Sequence, residues 1–393
     1  MKVLVFNAGS SSLKFNLINM PGEERLAKGL FERIGLKSGN YKIKYGDGKE
    51  HEETLPIEDH AKAFEILLDK LVELKIIDSL KEIDGIGHRV LIGGEYSGSV
   101  IVDDEVKQNI KDYFSIGPLH NPANLTGILA AEKSLVGVPN VAVFDNAFHQ
   151  TLSKVKYMYP IPLKYFEKYK IRKYGYHGTS FKYITNYMKK FLNKDKVNLI
   201  ICHIGNGASI CCVKDSKSYD TSMGFTPLTG LMMGTRSGDV DPSVVTYIMN
   251  KENKTADEVL EMLNKKSGLL GLSGISSDSR DVEEAINKGN KDAKLAEEVY
   301  IDRIISYIAR YYFDLEGQVD SIVLTAGVGE NAKQIRAKII ERLNFLGIEL
   351  DEELNNVRGE FSQISTGDSS IPVYVVPTDE ELEIARDVYE LLY

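Results

Sequence analysis

Short apolar runs alternate with longer amphipathic stretches along most of the chain, and this pattern predicts a mixed α/β fold. In the first part of the chain it predicts strands at residues 3–6, 13–19, 84–91 and 140–144, and polar, exposed strands within 41–54. Helices are predicted at residues 59–74 and 122–135, and the first of these carries Ala63, Phe64, Leu67, Leu68 and Leu71 on one face. Strands followed by alternating helices and strands are typical of a layered α/β domain.

The pattern restarts after residues 154–163, where Pro160 and Pro162 stand among lysines and tyrosines, so a crossing between two domains is predicted there. Further strands are predicted at 197–204, 209–214, 321–324 and 373–376, and helices at 256–263, 292–312, 333–343 and 380–392. The 292–312 helix is predicted to place Leu295, Val299, Ile304, Ile308 and Tyr311 on one face. The hairpin within 197–214 repeats the opening hairpin, which predicts duplicated halves that face each other across a cleft.

Three strands lead directly into turns of small residues. These turns are NAGSSS at residues 7–12, GNGAS at 205–209 and AGVGEN at 326–331. Because glycine and serine add little bulk, backbone N–H groups in such turns can approach an anion closely. Three anion-binding turns in one chain indicate a long polyphosphate or two phosphorylated ligands, so the leading hypothesis is a phosphoryl-transfer enzyme.

The composition of the chain limits the kinds of binding partner and the cellular compartment that we expect. The chain has 393 residues, enough for two domains, with 43% hydrophobic residues and a formal net charge of −9. An acidic chain is not expected to bind nucleic acid or anionic membranes, and an anionic substrate requires locally concentrated arginine and lysine. Cys202, Cys211 and Cys212 lack metal-ligand spacing and are expected to be buried, reduced thiols of a cytoplasmic protein. Neither a signal peptide nor a membrane-spanning run is expected.

Several nucleotide-binding motifs are missing or incomplete. The P-loop and the protein-kinase signatures do not occur in the sequence. Residues 327–332 fit the dinucleotide pattern G-x-G-x-x-A, but too few residues follow for the repeated βαβ units of that domain. Residues 223–242 hold four glycines around Arg236 and predict a loop that approaches a ligand closely, with a flexible surface loop as the alternative.

Four other positions carry candidate chemistry, and each has a structural alternative. Arg89 ends a predicted strand and suits carboxylate or phosphate oxygens, but a surface salt bridge explains it equally well. Asp145 also ends a strand, where it can instead cap the next turn. His177 lies beside glycines, and His203, within a strand, is expected to be a core histidine. Residues 378–381 form a predicted capping box for the last helix, with Thr378 as its N-cap.

Longer motifs in this order resemble the acetate and propionate kinase family nearly end to end. They are NAGSSSLKF (7–15), PLHNPANLTGI (118–128), HGTS (177–180), HIGNGAS (203–209), MMGTRSGDVDP (232–242) and GVGEN (327–331). The resemblance implies two ribonuclease H-like domains around a central cleft, as in the actin-like ATPase fold, and a homodimer. The implied N-terminal domain is 1–150, completed by the helix 380–393. The implied C-terminal domain is 151–379, with most of the nucleotide site and the dimer interface.

The resemblance also implies a set of site residues. Asp145, His177 and Arg236 would be catalytic, and Arg89, Leu91, Leu119, Tyr176 and Pro227 would bind the small acid. Asn7 and Glu380 would hold Mg²⁺, with Mn²⁺ as an alternative. The residues implied at the ATP site are Lys14, His203, Ile204, Gly205, Asn206, Gly207, Asp278, Ser279, Arg280, Gly327, Val328, Gly329, Glu330 and Asn331.

The implied activity is reversible, ATP-dependent phosphorylation of acetate to acetyl phosphate. Propionate kinase is the alternative, and a non-catalytic nucleotide-binding regulator is a distant one. Because a carboxylate is already ionised at neutral pH, no strong base is required, and Asp145 is expected to orient Mg²⁺, its waters or an arginine. The chain departs from the family pattern at Ile92, Asn146, Tyr176, Phe181, Thr229 and Asp379. Tyr176 is expected to add a hydroxyl near the acyl pocket, and Phe181 to remove a polar neighbour of His177.

Overall fold

The computed structural model describes residues 1–9, 11–118 and 120–393, and the chain divides into two compact units. Unit 1 comprises residues 1–150 and 379–393, and unit 2 comprises residues 151–378. Each unit is built around one β-sheet flanked by helices, so the predicted α/β class is confirmed.

The strands are β1 (Lys2–Ala8), β2 (Ser12–Asn19), β3 (Glu24–Glu32), β4 (Gly39–Tyr45), β5 (Lys49–Leu55), β6 (Ile83–Val90), β7 (Val100–Ile101), β8 (Asn140–Phe144), β9 (Leu199–Ile204), β10 (Ala208–Lys214), β11 (Lys217–Thr221), β12 (Ser321–Thr325), β13 (Ser362–Gln363) and β14 (Val373–Val375). The helices are α1 (His60–Glu73), α2 (Asp104–Asp112), α3 (Asn121–Ser134), α4 (Lys154–Tyr157), α5 (Lys164–Tyr169), α6 (Gly178–Phe191), α7 (Pro242–Glu252), α8 (Ala256–Lys265), α9 (Gly268–Ser273), α10 (Ser279–Asn287), α11 (Lys291–Asp314), α12 (Ala326–Asn331), α13 (Lys333–Glu341) and α14 (Glu380–Leu392).

The sheet of unit 1 has helices on both faces. Its strand order is β5-β4-β3-β2-β1-β6-β8-β7. Leu4 and Phe6 of β1 pack into a core with α1 and α3, whereas Val3 and Val5 pack on the other face against Ile384 and other residues of α14. A strand that is covered on both faces reads as a continuous apolar run, which explains why β1 was identifiable from the sequence.

Parallel pairing in this sheet brings polar residues to one edge. β1 pairs in parallel with β6, and β6 pairs in parallel with β8. Asn7 lies near the end of β1, Arg89 near the end of β6, and Asp145 directly after β8. Because parallel strands end on the same side of a sheet, these three residues lie at a common carboxyl edge.

The sheet of unit 2 repeats the same strand order. It runs β11-β10-β9-β12-β14-β13, with β9, β12 and β14 parallel and β10 antiparallel to β9. Unit 1 has the equivalent series β3-β2-β1-β6-β8. The internal repeat predicted from the two hairpins is therefore confirmed in the order of the strands.

Several predicted details are wrong. Leu295 of α11 is 52% exposed, because the buried face of this helix passes through Ala296, Tyr300 and Ile304 instead. The turn predicted at 326–331 is the short helix α12. The N-cap of α14 is Asp379, whose side chain accepts a hydrogen bond from the backbone N–H of Leu382. The hydroxyl of Thr378, the predicted cap, is hydrogen-bonded elsewhere.

Two predictions about the whole chain can be compared with the described residues. Cys202, Cys211 and Cys212 are unpaired and buried, as expected, and burial raises the pKa of each thiol. No helix within residues 1–9, 11–118 and 120–393 combines the length and the apolarity needed to cross a lipid bilayer.

His88 is a buried histidine in the centre of the unit 1 sheet. Its ring stacks on Phe6, and its Nε2–H donates to Oδ1 of Asn140 at 2.7 Å. Burial lowers the pKa of His88 to about 4, and the hydrogen bond to Asn140 only partly opposes this effect. Between about pH 6.5 and pH 4 the unfolded chain therefore binds a proton at this residue that the native chain does not bind.

We expect His88 to weaken the fold as the pH falls. Between pH 7.5 and pH 5, wild type should lose about 2 kcal/mol more unfolding free energy than His88→Gln, which retains a donor for Asn140 but does not titrate. Urea unfolding of both proteins at the two pH values measures the difference. Equal losses in the two proteins would contradict the prediction.

Candidate active site

Arg89 and Asp145 form a buried ion pair at the carboxyl edge of the unit 1 sheet. Nε of Arg89 lies 3.1 Å from both carboxylate oxygens of Asp145, and Nη2 lies 2.6 Å from Oδ2. The Asp145 carboxylate is fully buried. The alternative of a surface salt bridge for Arg89 is therefore wrong. A two-pronged bond of this kind fixes the plane of the guanidinium.

Two more charged pairs complete this group. Oε2 of Glu380 lies 3.7 Å from Nε of Arg89, and Nζ of Lys14 lies 2.5 Å from Oε1 of Glu381. Burial raises the pKa of Glu380 to about 7, where Arg89 lowers it and the carboxylates of Asp145 and Glu381 raise it further. Burial alone would lower the pKa of Arg89, but Asp145 and Glu380 raise it overall. Three carboxylates thus face two cations. This excess of negative charge favours the binding of another positive charge.

The oxygen donors of this group suit a hard divalent cation. Oδ1 of Asn7 accepts from Nη1 of Arg89 at 3.4 Å, and Oε2 of Glu380 lies 3.7 Å from Nε of the same guanidinium. Across the described ranges, no three histidine, cysteine or acidic side chains form a metal-binding group. Mg²⁺ typically takes one or two protein oxygens and completes its shell with water and phosphate. The oxygen donors of Asn7 and Glu380 are therefore chemically suited to Mg²⁺.

Two histidines of unit 2 stack on each other beside the glycine turn after β9. The rings of His177 and His203 are 4.2 Å apart at 22°. Nδ1 of His177 lies 2.8 Å from the hydroxyl of Ser209, and Nδ1 of His203 lies 2.8 Å from the hydroxyl of Ser180. His177 is the residue before α6 and has a left-handed backbone with φ of 57°. A non-glycine residue in this conformation is a strained position of the kind that is common at functional sites.

The missing side chain of Gly207 leaves a small gap beside a charged and a polar nitrogen. A Cβ atom on Gly207 would lie 3.6 Å from Nη1 of Arg236 and 3.6 Å from Nε2 of His177. Both nitrogens therefore border the same small volume above the turn Gly205–Gly207, which ends β9 after Ile204. Hydrogen-bond donors around a glycine turn are the chemistry that binds a phosphate group.

Arg236 is a half-buried cation without a carboxylate partner. Its Nη1 donates to the carbonyl of Pro227 at 3.0 Å and lies 3.6 Å from the sulfur of Met233. No acidic side chain of the described residues forms an ion pair with it, and burial lowers the pKa of its guanidinium. A desolvated charge that lacks a counter-ion is unfavourable, so this arrangement favours the binding of an anion.

The loop that carries Arg236 is held in place by side chains. Oδ1 of Asp239 accepts from the backbone N–H of Gly230 at 2.8 Å, and its Oδ2 accepts from the hydroxyl of Tyr307 on α11 at 2.6 Å. Residues 222–241 contain no helix or strand, which confirms the predicted loop. The alternative of a flexible surface loop is not supported, since Leu231 and Met233 are completely buried.

The hydroxyl of Tyr176 anchors the same loop. It donates to the carbonyl of Phe225 at 2.6 Å, and the hydroxyl of Tyr159 accepts from the N–H of Phe225 at 2.8 Å. The hydroxyl that departs from the family pattern therefore contacts the backbone two residues before Pro227. The predicted acyl-pocket residue Leu91 is buried directly after β6 in unit 1, and Leu119 lies outside the described residues.

A cavity of about 830 Å³ lies within unit 2. Predicted ATP-site residues that line it are Gly205, Asn206, Asp278, Ser279, Arg280, Gly327, Val328 and Asn331. Those that do not line it are Lys14, which belongs to unit 1, and His203, Ile204, Gly207, Gly329 and Glu330. Its volume is in the range of small-molecule sites.

Sequence reasoning missed other residues of the cavity wall, including Tyr300, Lys333, Asn356 and Arg358. They come from α11, α13 and a loop near the end of the unit, and no glycine motif marks them. The hydroxyl of Tyr300 is buried and has no hydrogen-bond partner among residues 1–9, 11–118 and 120–393. Such a group costs about 1–3 kcal/mol unless a ligand or water satisfies it.

Gly207→Ala tests whether the space above the glycine turn receives a phosphate. The new methyl group would make only ordinary contacts of 3.6–3.7 Å, so the fold should retain its stability. We expect the affinity for ATP, measured by isothermal titration calorimetry, to fall about tenfold or more, because the methyl group fills the space that phosphate oxygens require. Gly367→Ala, which meets nothing within 4 Å, is the matched control. Equal ATP affinities of the two variants would contradict the prediction.

Comparison with known proteins agrees with these observations. The profile of a family described as the Acetokinase family matches residues 2–386. Acetate kinase of Anoxybacillus flavithermus is 53% identical over 99% of this chain and 98% of the relative, and that of Bacillus subtilis is 52% identical over 99% of both.

Solved structures give the same result. The crystal structure of Porphyromonas gingivalis acetate kinase is 44% identical, with a TM-score of 0.94 and complete coverage of both chains. That of a propionate kinase from Francisella tularensis is 42% identical, with a TM-score of 0.93 over 99% of both chains. Because the profile and the relatives extend over almost the whole sequence, this chain belongs to the acetokinase family.

Proposed function

We propose that this chain catalyses the reversible, ATP-dependent phosphorylation of acetate to acetyl phosphate. The observation that carries the proposal lies in unit 2, where Arg236 has no carboxylate partner among the described residues and borders the space above Gly207 together with His177. Family membership supplies the reaction, since the relatives and one solved structure are acetate kinases. The cavity supplies a volume of suitable size for the nucleotide.

The proposed reaction is a direct, in-line transfer. A carboxylate oxygen of acetate forms a bond to the γ-phosphorus of ATP while the bond from that phosphorus to the β,γ-bridging oxygen breaks, and ADP leaves with its electron pair. No proton is transferred, because acetate is ionised at neutral pH. The residues therefore act by positioning and by stabilising negative charge on the phosphoryl oxygens.

Each group of residues has a distinct role in this reaction. Arg236 and His177 donate hydrogen bonds to the phosphoryl oxygens, and Arg89 binds the carboxylate of acetate. Asp145 is a positioning residue, since its two oxygens hold Nε and Nη2 of Arg89 and leave Nη1 directed elsewhere. Asn7 and Glu380 would hold Mg²⁺, which would neutralise charge on the nucleotide phosphates. Mn²⁺ accepts the same oxygen donors.

Propionate is the second candidate substrate, because one close structural neighbour is a propionate kinase. Tyr176 and Pro227 of unit 2 are proposed to contact the acyl chain, and the same role is proposed for Leu91 of unit 1. One additional methylene in an apolar pocket changes binding by only about 1–3 kcal/mol, so both acids are expected to react at different efficiencies.

A hydroxamate assay with ATP, Mg²⁺ and a series of short carboxylates tests the reaction. We expect acyl phosphate from acetate and, less efficiently, from propionate. Arg236→Gln should reduce kcat/KM for acetate by about 100-fold or more, because the transferring group loses a charged donor. Arg303→Gln, at an exposed position of α11, is the control that should retain activity.

Formation of no acyl phosphate from any of these acids would contradict the enzyme proposal and favour a nucleotide-binding regulator. Equal kcat/KM values for Arg236→Gln and Arg303→Gln would contradict the role of Arg236.

We also propose that the protein is a cytoplasmic homodimer without nucleic-acid or membrane partners. Helices α4, α5 and α7 bury none of their residues, and they and the adjoining segments expose Val155, Leu163, Val244 and Tyr247. Apolar faces of this kind are commonly covered by a second subunit. The net charge of −9 opposes association with nucleic acid and anionic lipid.

The mass in solution tests the dimer. Light scattering coupled to size-exclusion chromatography should give about twice the chain mass of 43.9 kDa. Tyr247→Asp on α7 should shift the mass toward that of the monomer, because a charge would be buried in the interface. Phe345→Asp, at a residue that is 81% exposed elsewhere on unit 2, should leave the mass unchanged. A wild-type protein of monomer mass would overturn the proposal.

A further inference from the structure

The hydroxyl of Ser180 joins three elements of unit 2. Ser180 lies in the first turn of α6 and is completely buried. Its Oγ lies 2.8 Å from Nδ1 of His203 in β9 and 2.8 Å from Oγ1 of Thr378, which follows β14. One buried hydroxyl thus connects a histidine of the candidate site to a threonine to which neither the sequence nor the family resemblance assigned a role in the reaction.

Thr378 is itself held by the segment that follows β12. Its backbone N–H donates to Oε1 of Glu330 at 3.0 Å, and the same oxygen accepts from the backbone N–H of Ala326 at 2.8 Å. Glu330 does not line the cavity, so its carboxylate fixes the backbone rather than contacting a ligand there. A charged hydrogen bond therefore fixes the backbone that carries the Thr378 hydroxyl.

The hydroxyl hydrogens of Ser180 and Thr378 favour one direction for the two hydrogen bonds of Ser180. If Ser180 donates to Nδ1 of His203, its oxygen can accept from the hydroxyl of Thr378, and both hydroxyl hydrogens are used. In the opposite direction, the hydrogen of Thr378 would need another acceptor, and no described residue provides one. The opposite direction would leave the hydrogen of the half-buried Thr378 to solvent, whereas the first uses both hydroxyl hydrogens within the protein and is therefore preferred.

We propose that Thr378 and Ser180 act as positioning residues that hold His203 as its Nε2–H tautomer. A neutral imidazole whose Nδ1 accepts a hydrogen bond carries its proton on Nε2. His203 then presents a neutral N–H donor next to His177, and this matters because two charged rings only 4.2 Å apart would repel each other. The inference rests on the proposed function, in which these residues face the phosphates of ATP.

The Thr378→Val variant removes the hydroxyl but keeps the shape of the side chain. Without its donor, Ser180 can reverse its bond and accept from Nδ1–H of His203. We expect ¹⁵N NMR of the imidazole to show partial conversion of His203 to the Nδ1–H tautomer. We expect kcat for acetyl phosphate formation to fall about tenfold, with KM for acetate unchanged within about twofold.

Two further variants separate positioning from stability. Thr378→Ser restores the hydroxyl and should recover most of kcat. Thr185→Val is the matched control, since Thr185 is also buried in α6 and its hydroxyl donates only locally, to the carbonyl of Phe181 at 2.7 Å. It should lose comparable stability on thermal unfolding but retain the wild-type tautomer and kcat.

The outcomes distinguish this inference from the proposed function. An unchanged Nε2–H tautomer in Thr378→Val, or an equal loss of kcat in Thr185→Val, would overturn the inference. If Thr378→Val does not fold, Ser180→Ala is examined in the same way, and retention of the wild-type tautomer there has the same meaning. If the tautomer converts as expected but wild type forms no acyl phosphate, the positioning of His203 by Ser180 and Thr378 is supported and the proposed kinase function is contradicted.

Discussion

Parallel pairing of the central strands is the constraint on which both groups of candidate residues depend. In unit 1, β1, β6 and β8 end at one edge and deliver Asn7, Arg89 and Asp145 to it. In unit 2, β9, β12 and β14 end at one edge and lead into the turn Gly205–Gly207, helix α12 and Thr378. Since side chains from separate parts of the sequence meet only because the strands run in the same direction, the register of each sheet determines the chemistry at its edge.

The arginines of the two groups of candidate residues, Arg89 and Arg236, differ in how their charges are compensated. In unit 1, the carboxylates of Asp145 and Glu380 surround Arg89, so the guanidinium is oriented by partners that belong to the protein. In unit 2, the Arg236 guanidinium is hydrogen-bonded to a carbonyl and a sulfur and pairs with no carboxylate of the described residues, so its charge is left for a ligand. In the reaction that we propose, the acid and the phosphate are both anions and each requires a source of positive charge, and we assign one arginine to each.

The sequence predicted those elements whose periodicity is set by burial. β1 and β8 are apolar on both faces, and α1 and α14 follow the helical period, so their bounds were predicted closely. β3 was missed because Glu24–Glu32 mixes charges with apolar residues without a clean alternation, and α7 has no buried face to leave a pattern.

The candidate site was predictable only where a local motif marks it. Arg89 and Asp145 stood out at strand ends, and the glycine turns indicated phosphate. The bond between Ser180 and Thr378 joins residues 198 positions apart, and no local pattern reports such a pairing. Glu330 shows that a local motif also does not report what its side chains contact. Its motif indicated a nucleotide contact, but its carboxylate is hydrogen-bonded to the backbone of Ala326 and Thr378.

The hydrogen bonds of His177 and Ala326 hold backbone conformations that are strained. His177 and Ala326 both have left-handed backbones, with φ of 57° and 65°, although neither is glycine. Each such residue costs about 1 kcal/mol or more and persists only where its surroundings hold it. The carbonyl of His177 accepts from the N–H of Phe181 in α6, and the N–H of Ala326 donates to Glu330. The strained conformations turn the chain sharply at the start of α6 and at the end of β12, next to the residues that we assign to phosphate binding. Among the left-handed non-glycine residues of unit 2, His177 and Ala326 therefore combine backbone strain with a position beside the candidate site.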